Sequence, residues 1–572
     1  MNPIKEFITM AFEQFKNFGN FSSEGKVEAL DNLGLIAGSF DAFGLEKVIN
    51  NAVGKEGSHV IADTGVVVKA LVMQLLNVPY QTLDGTKEYY SNRPLNALCQ
   101  QKITANDLNR NMIARVLDRI YDYGSKDLYL LCTSQVFNSL GIKVQCAHID
   151  STSIHYHGEG YKQEGCHLEL KLGYSRDSHP ELKQVISLML ADDETRIPMF
   201  EKNLSGNVND NVSFYDVVNE IPEIQKQFTD LKYLVGDSAL CTDKIFKEAK
   251  DKGLFLVTRL PDKNDEAKAI FNSFDRNNLT PLYENEEDSP LGMWCNPITM
   301  GEQEVKLLLI CNDNLRDKKT ATVNKKAEKE LEKLESKIKK LSTQPAKCHA
   351  DAQKLINGII KECKLTKISN IQYEEVLKRA TRGRPKKGVQ EEFILESVKV
   401  TANIEIDKDL VATQIDKECL YIIATNDTER EWEMSELLSI YKRQSVIERC
   451  WRCCKDPRLF IDSLYLKTPS RIDALLWIMS IALLVYAATE YKVRKTMKEH
   501  KLTIPTPDHK KDMDRPTLMR LFQYIANHNI QVVHHDNQCY LSYLQQQLKD
   551  LLLALGQEWC LYFNSEYYRH FA

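Results

Sequence analysis

The 572-residue sequence contains no G-x-S-x-G nucleophile elbow and no G-x-x-x-x-G-K-[ST] phosphate loop, which argues against serine-hydrolase and P-loop ATPase chemistry. It shows no internal repeat. Its longest apolar run, Ala474 to Ala488, spans 15 residues. A membrane helix takes about 20, so this run reads as a buried core helix and no membrane partner is expected. The opening residues, MNPIKEFITMAFEQF, carry Glu6 and Glu13 and lack the uninterrupted apolar stretch of a secretory signal. Fifteen cysteines lack the spacing of a small disulfide scaffold, and no second C-x-x-C answers the first. That pattern suits free thiols in a reducing compartment, so the expected location is cytoplasmic. The net charge of −5 and pI of about 6.3 argue against a surface that is basic all over. Screening confines charge effects to about 10 Å, so local basic grooves remain open.

Hydrophobic residues make up 43% and charged residues 27%, an ordinary globular balance, and the length suggests about three to five domains. Residues 1–140 read as a helical N-terminal domain. VVVKALVMQLLNV is apolar enough for a central helix, and Leu108, Met112, Val116, Leu117 and Ile120 keep helical spacing behind Thr104 as N-cap. Residues 141–261 change period: Val144, Cys146 and His148 alternate toward Asp150, and three short apolar runs follow, the last two flanking a helix that ends at Gly253. This is the first part of an α/β core. Residues 262–425 form an insertion with β structure, charged helices and a basic loop; Leu331, Leu334, Ile338 and Leu341 have heptad-like spacing over a length that suits a helical hairpin. Residues 426–500 return to the core, and 501–572 form a mostly helical tail.

Two acids end apolar runs, Asp150 in AHIDSTSIH and Asp237 in YLVGDSAL, and a third, Glu448, lies in YKRQSVIERCWRCCK. Tyr441, Glu448 and Lys455 are spaced by seven residues, about two helical turns, so they are expected on one face of one helix. Three carboxylates from two strands and a helix could hold two divalent metal ions for phosphodiester chemistry. An Asp at a strand end is also a common turn former or helix cap. Zinc is the rival, either at His148, His155 and His157 or at Cys450, Cys453 and Cys454; buried thiols are the plainer reading of the cysteines. The segment KRATRGRPKKG is either a solvated charged loop or a DNA contact. In the second case Arg382 and Arg384 would enter a narrow minor groove and Lys386 and Lys387 would add phosphate contacts.

Taken in order, these stretches resemble the DDE transposases of bacterial insertion sequences. Their helix reads Tyr-x-x-Arg-x-x-x-Glu-x-x-x-x-x-x-Lys; Tyr441, Glu448 and Lys455 match it, and Gln444 stands at the Arg position. IDSTS, GYSRDSHPELKQV, GNVND, VGDSAL, RLP, GRPKKG and RPT also fit, over roughly residues 30 to 535. The resemblance implies an RNase H-like core interrupted by a β-rich insertion, with DNA strand cleavage and strand transfer by two Mg²⁺ or Mn²⁺ ions at Asp150, Asp237 and Glu448. It also implies double-stranded DNA partners, the terminal inverted repeats and the target, a homodimeric synaptic complex, and association with the nucleoid when bound. Tyr441, Gln444 and Lys455 would lie toward DNA, with Arg452, one turn after Glu448, offsetting the charge that Gln444 lacks. A copy that binds DNA without cutting, and a plain RNase H-like nuclease, are the alternatives.

Overall fold

The computed structural model describes residues 26–571, apart from 55–61, 78–82, 159, 161, 176–178, 284–288, 381–391, 455–465, 509 and 536–537. The chain forms two units, one comprising Met1–Thr258, Met300–Gln303 and Ser439–Ala572, the other Arg259–Thr299 and Glu304–Leu438.

The first unit begins with a short strand, β1 (Lys26–Ala29), and helices α1 (Leu33–Ala42), α2 (Leu45–Val53), α3 (Thr64–Leu76), α4 (Arg110–Tyr123) and α5 (Ser125–Leu140). Every residue of α3 is buried, as its near-unbroken apolar sequence requires. Lys69 is buried with it and donates to Asp41 Oδ1 at 2.5 Å and to the Tyr562 hydroxyl at 3.1 Å. An ammonium group at such depth is tolerated only when paired. The N-cap of α4 is Asn109, whose side chain accepts from the N–H groups of Asn111 and Met112, and not Thr104. Thr104 instead donates twice to Asp107 in the preceding turn, a local bond that competes with capping.

The core strands are β2 (Cys146–Tyr156), β3 (Lys183–Asp192), β4 (Pro198–Ser205), β5 (Tyr233–Val235) and β6 (Phe255–Arg259), with helix α6 (Asp210–Gln227) before β5 and α7 (Asp243–Asp251) between β5 and β6. They lie in the order β4-β3-β2-β5-β6. The first three run antiparallel, and β5 and β6 join parallel to β2. Three antiparallel strands followed by two parallel ones is the RNase H-like arrangement.

In the second unit, β7 (Leu291–Met300) and β8 (Gln303–Cys311) precede a 28-residue helix, α8 (Arg316–Thr343), then α9 (His349–Ile360), β9 (Thr366–Arg379), β10 (Phe393–Ile406) and β11 (Leu420–Thr425). β9 and β10 form an antiparallel ribbon from Thr366↔Ile406 to Arg379↔Phe393. Leu334 and Ile338 of α8 pack with Ile356 and Ile359 of α9 against Val398 and Val400 of β10. The apolar spacing on α8 therefore marks a helical pair seated on a β ribbon. Its lysines are partly matched in charge, Lys319 and Lys326 on Glu418, and Lys333 and Lys337 on Glu362.

The chain then continues through α10 (Met434–Lys442), α11 (Ser445–Cys454) and α12 (Pro469–His500). α12 has 32 residues, about twice the apolar run that marks it in the sequence. Its apolar stretch is long enough to cross a membrane by length and composition, yet most of it is buried within the protein, with Trp477 fully enclosed. The last segment packs back on the first. Strand β12 (Gln531–His535) pairs with β1 from Lys26↔His534 to Ala29↔Gln531, and the Trp559 indole donates to the Ser39 hydroxyl at 2.9 Å. At Gly38 a Cβ would lie 2.8 Å from the Glu558 carbonyl oxygen and from Trp559 Cα, so only glycine permits that approach.

Candidate active site

Side chains alternate along β2, so His148, Asp150 and Thr152 share one face while Ile149, Ser151, Ser153 and His155 take the other. The parallel register Ala147↔Leu234 and His148↔Val235, carried on by two residues, sets Asp150 opposite Asp237. Asp237 follows the end of β5, but Asp150 stands mid-strand and not at the strand end expected from the sequence, because β3 keeps β2 paired as far as Tyr156. Adjacent strands lie about 4.8 Å apart. Between them Gly236 leaves no room for a side chain, since a Cβ there would lie 2.8 Å from Ile149 Cγ2.

Both aspartates are half-buried and held by the backbone. Asp150 Oδ1 accepts from the Ser151 N–H at 2.8 Å, and Asp237 Oδ1 accepts from the Ala239 N–H at 2.9 Å. The Thr258 hydroxyl donates to the Asp237 carbonyl at 2.6 Å. Asp237 is thus a turn cap as well as a candidate ligand; a carboxylate has about four lone-pair sites, so the two roles are compatible. On the other face, the Ser151 hydroxyl donates to Asp210 Oδ1 at 2.6 Å and ties the start of α6 to β2.

Glu448 is exposed in the first turn of α11, and α11 packs on β2 and β3. The single helix expected from Tyr441 to Lys455 is not continuous: α10 ends at Lys442, a turn occupies Arg443 and Gln444, and α11 begins at Ser445. The Gln444 N–H bonds to the Tyr441 carbonyl at 3.1 Å, closing a tighter turn than an α-helix. The reason is tertiary. Arg443 leaves the helical path to make a two-point ion pair with Asp193 just after β3, Nε to Oδ1 and Nη2 to Oδ2, each 2.7 Å. Tyr441 and Gln444 are half-buried, one before this break and one within it, so they do not share a continuous helical face with Glu448. Arg452 lies on α11, but its side chain is outside the described residues, as are Lys455, Arg382, Arg384, Lys386 and Lys387.

The zinc alternatives do not match what is described. His148 and His155 are seven residues apart on β2 and point to opposite faces, and the His155 ring packs against His179 and bonds to the Ser175 hydroxyl at 2.9 Å. Cys450 is buried 3.6 Å from the Arg196 carbonyl, and burial pushes its thiol up to about 12. Among the described residues the one three-ligand cluster is Cys146, His148 and Asp193, within 4.8 Å of one another. Asp193 there is already engaged by Arg443. Burial, and then the Asp193 charge, hold the Cys146 thiol far above its usual range, away from the thiolate a metal would need. Sequence reasoning missed the pairing of Asp193 with Arg443, since Asp193 carried no motif signal.

Asp150, Asp237 and Glu448 offer only hard oxygen donors with access to solvent, a donor set that fits Mg²⁺ or Mn²⁺. Residues 145–485 match the model of the transposase DDE domain, and residues 25–133 match a domain of unknown function, DUF4277. Transposases of the DDE type generally use divalent metal ions. No curated protein matches the chain. Among solved structures, a cryo-EM structure of a piggyBac transposase synaptic complex with hairpin DNA is similar at 10% identity and a TM-score of 0.37, covering 88% of this chain and 82% of that one. The domain match covers more than half of the sequence and does not favour the reading as a co-opted DNA-binding copy. The chain therefore belongs to the family of DDE transposases.

Proposed function

We propose that this transposase cuts and joins double-stranded DNA at the ends of its own insertion sequence, using a pair of Mg²⁺ or Mn²⁺ ions held by Asp150, Asp237 and Glu448. The observation that carries this reading is the register of β2 on β5, which aligns Asp150 with Asp237, together with the packing of the Glu448 helix over β2 and β3. When bound, the ions would stabilise the attacking and leaving oxygens of an in-line displacement. The chain's own part is to hold the donors still. The Ser151 and Ala239 amides fix the two aspartate rotamers, and the Thr258 hydroxyl fixes the turn that presents Asp237. Gly236 lets the chain after β5 lie close against Ile149 of β2.

The partner is DNA. Joining two element ends in one complex calls for two copies of the chain, so a homodimer is the proposed assembly, acting in the cytoplasm at the nucleoid. Arg382, Arg384, Lys386 and Lys387, with Tyr441, Gln444, Arg452 and Lys455, are the proposed DNA contacts.

The test is strand cleavage of a duplex carrying the element's terminal repeat, with Mg²⁺ varied. Asp150→Asn, Asp237→Asn and Glu448→Gln should each lower cleavage at least about a hundredfold, more than the loss of an outer-shell partner typically causes, while duplex affinity in Ca²⁺ changes little. Near-normal cleavage by any one of them removes that residue from the site. Products in which the 3′ end is joined to target DNA separate a transposase from a plain nuclease.

A further inference from the structure

A carboxylate that is 5% exposed, Asp193, receives two donors at once: Arg443 through both guanidinium positions, and His148 Nε2 at 2.7 Å from Oδ1. His148 is fully buried, and its Nδ1 has no hydrogen-bond partner, so the Nε2–H tautomer is the one that bonds. The Asp193 backbone N–H also bonds to the Cys146 carbonyl at 3.0 Å, so the carboxylate is anchored to β2 from both backbone and side chain. Burial pushes the Asp193 carboxyl up, and hydrogen bonds from His148 and Arg443 outweigh it, leaving the carboxyl below its ordinary value and therefore charged.

The two ends of this chain of bonds are both next to proposed metal ligands. His148 shares a face of β2 with Asp150, two residues or about 6.6 Å along the strand. Arg443 lies two residues before α11, whose first turn carries Glu448. A planar two-point guanidinium–carboxylate contact fixes direction as well as distance, which a single-point lysine contact cannot do. With α11 pinned at its start, the helix that carries Glu448 has little freedom to roll or slide over β2, the strand that carries Asp150. The same contact accounts for the helix break at 443–444 and is not met by a metal-site reading, because the guanidinium takes both carboxylate oxygens.

We infer that Arg443 is a positioning residue, which through Asp193 and His148 sets Glu448 against Asp150 for metal binding. This rests on the three-acid reading given above. The test measures Mg²⁺-dependent cleavage of a terminal-repeat duplex by the full chain, reading the half-saturating Mg²⁺ concentration separately from duplex affinity in Ca²⁺ and from the thermal midpoint. Arg443→Gln should raise the half-saturating Mg²⁺ concentration about tenfold to a hundredfold, the range typical of outer-shell partners, with duplex affinity within about threefold. Arg443→Lys, which retains the charge but not the two-point geometry, should fall between the two, and it carries the test if Arg443→Gln does not fold. Adding Asp193→Asn to Arg443→Gln removes the unpaired buried charge; it should restore the thermal midpoint and leave the metal requirement raised. An unchanged Mg²⁺ requirement beside a lowered midpoint would make the contact structural only, and a matching loss of duplex affinity would make Arg443 a DNA contact; either overturns the inference. Glu448→Gln serves as the reference: if it cleaves normally, the three-acid reading has failed. If it is inactive while Arg443→Gln keeps its metal requirement, only the positioning role has failed.

Discussion

Asp150 and Glu201 stand in the same cross-strand row of one sheet, with Met189 between them. Their surroundings differ. Asp150 is half-buried, and its carboxylate is held by a backbone N–H. Glu201 is sealed, with no cation beside it, and burial pushes its carboxyl up to about 8 against the opposing hydrogen bonds of Ser480, Asn203 and Ser187, with nearby Asp473 adding to the rise. Asp193, equally deep but met by Arg443, goes the other way. Depth alone does not decide whether a carboxylate is charged in this sheet; a matched donor does. Two strands of separation, about 9.6 Å, divide the proposed metal ligand Asp150 from an acid whose carboxyl burial pushes up.

The strongest test of that contrast is catalytic. Glu201→Gln, which replaces one neutral hydrogen-bonding group by another, should leave cleavage within about threefold, against the loss of about a hundredfold or more expected for Asp150→Asn. A Glu201→Gln enzyme as impaired as Asp150→Asn would place both acids in one functional site.

The next effect is on stability. Unfolded, Glu201 titrates near its ordinary 4.5; folded, near 8. Between those values the folded chain keeps a proton that the unfolded chain has released, so stability from this residue is full below about pH 4.5 and falls as pH rises toward 8. The change is on the order of 5 kcal/mol. Urea unfolding at pH 5 and pH 8 should show a drop in the wild-type midpoint that Glu201→Gln reduces, with the variant the more stable of the two at pH 8. Equal slopes in both proteins would mean that Glu201 is ionised in the fold.

The smallest effect is on DNA affinity. Gln444→Arg adds one cation in the turn before the Glu448 helix. If this position meets a DNA phosphate, duplex affinity should rise a few-fold at low salt, and the slope of log affinity against log salt should steepen by about one. An unchanged slope would place residue 444 away from the backbone of the DNA.

Local pattern carried the two strands but only one of their ends. Period-2 alternation into Asp150 and the apolar run into Asp237 are short-range signals, and β2 and β5 form there; β5 stops just before Asp237, whereas β2 runs on through the polar STSIHY to Tyr156, because β3 pairs with it along that length. The β4 strand and α6 helix were not legible, since PMFEKNLS and the helix holding Pro222 carry weak periodicity. The break at Arg443 was hidden for another reason: it depends on Asp193, 250 residues earlier in the chain. Heptad arithmetic on YKRQSVIERCWRCCK assumes an isolated helix, and an ion pair to the buried Asp193 overrides that assumption. The N-cap of α4 shows the same limit on a small scale, because Thr104 and Asn109 are both good caps and only the bond to Asp107 separates them.

The pairing of β1 with β12 has a consequence for synthesis. Lys26 must wait for His534, about 500 residues later, and Lys69 must wait for Tyr562. At about 5–20 residues per second, translation leaves that strand edge unpaired, and the Lys69 ammonium with Asp41 but without the Tyr562 hydroxyl, for about 25–100 s. Throughout that interval the nascent amino-terminal helices are a substrate for chaperones, and a ribosome that stalls late releases a chain whose first module cannot close.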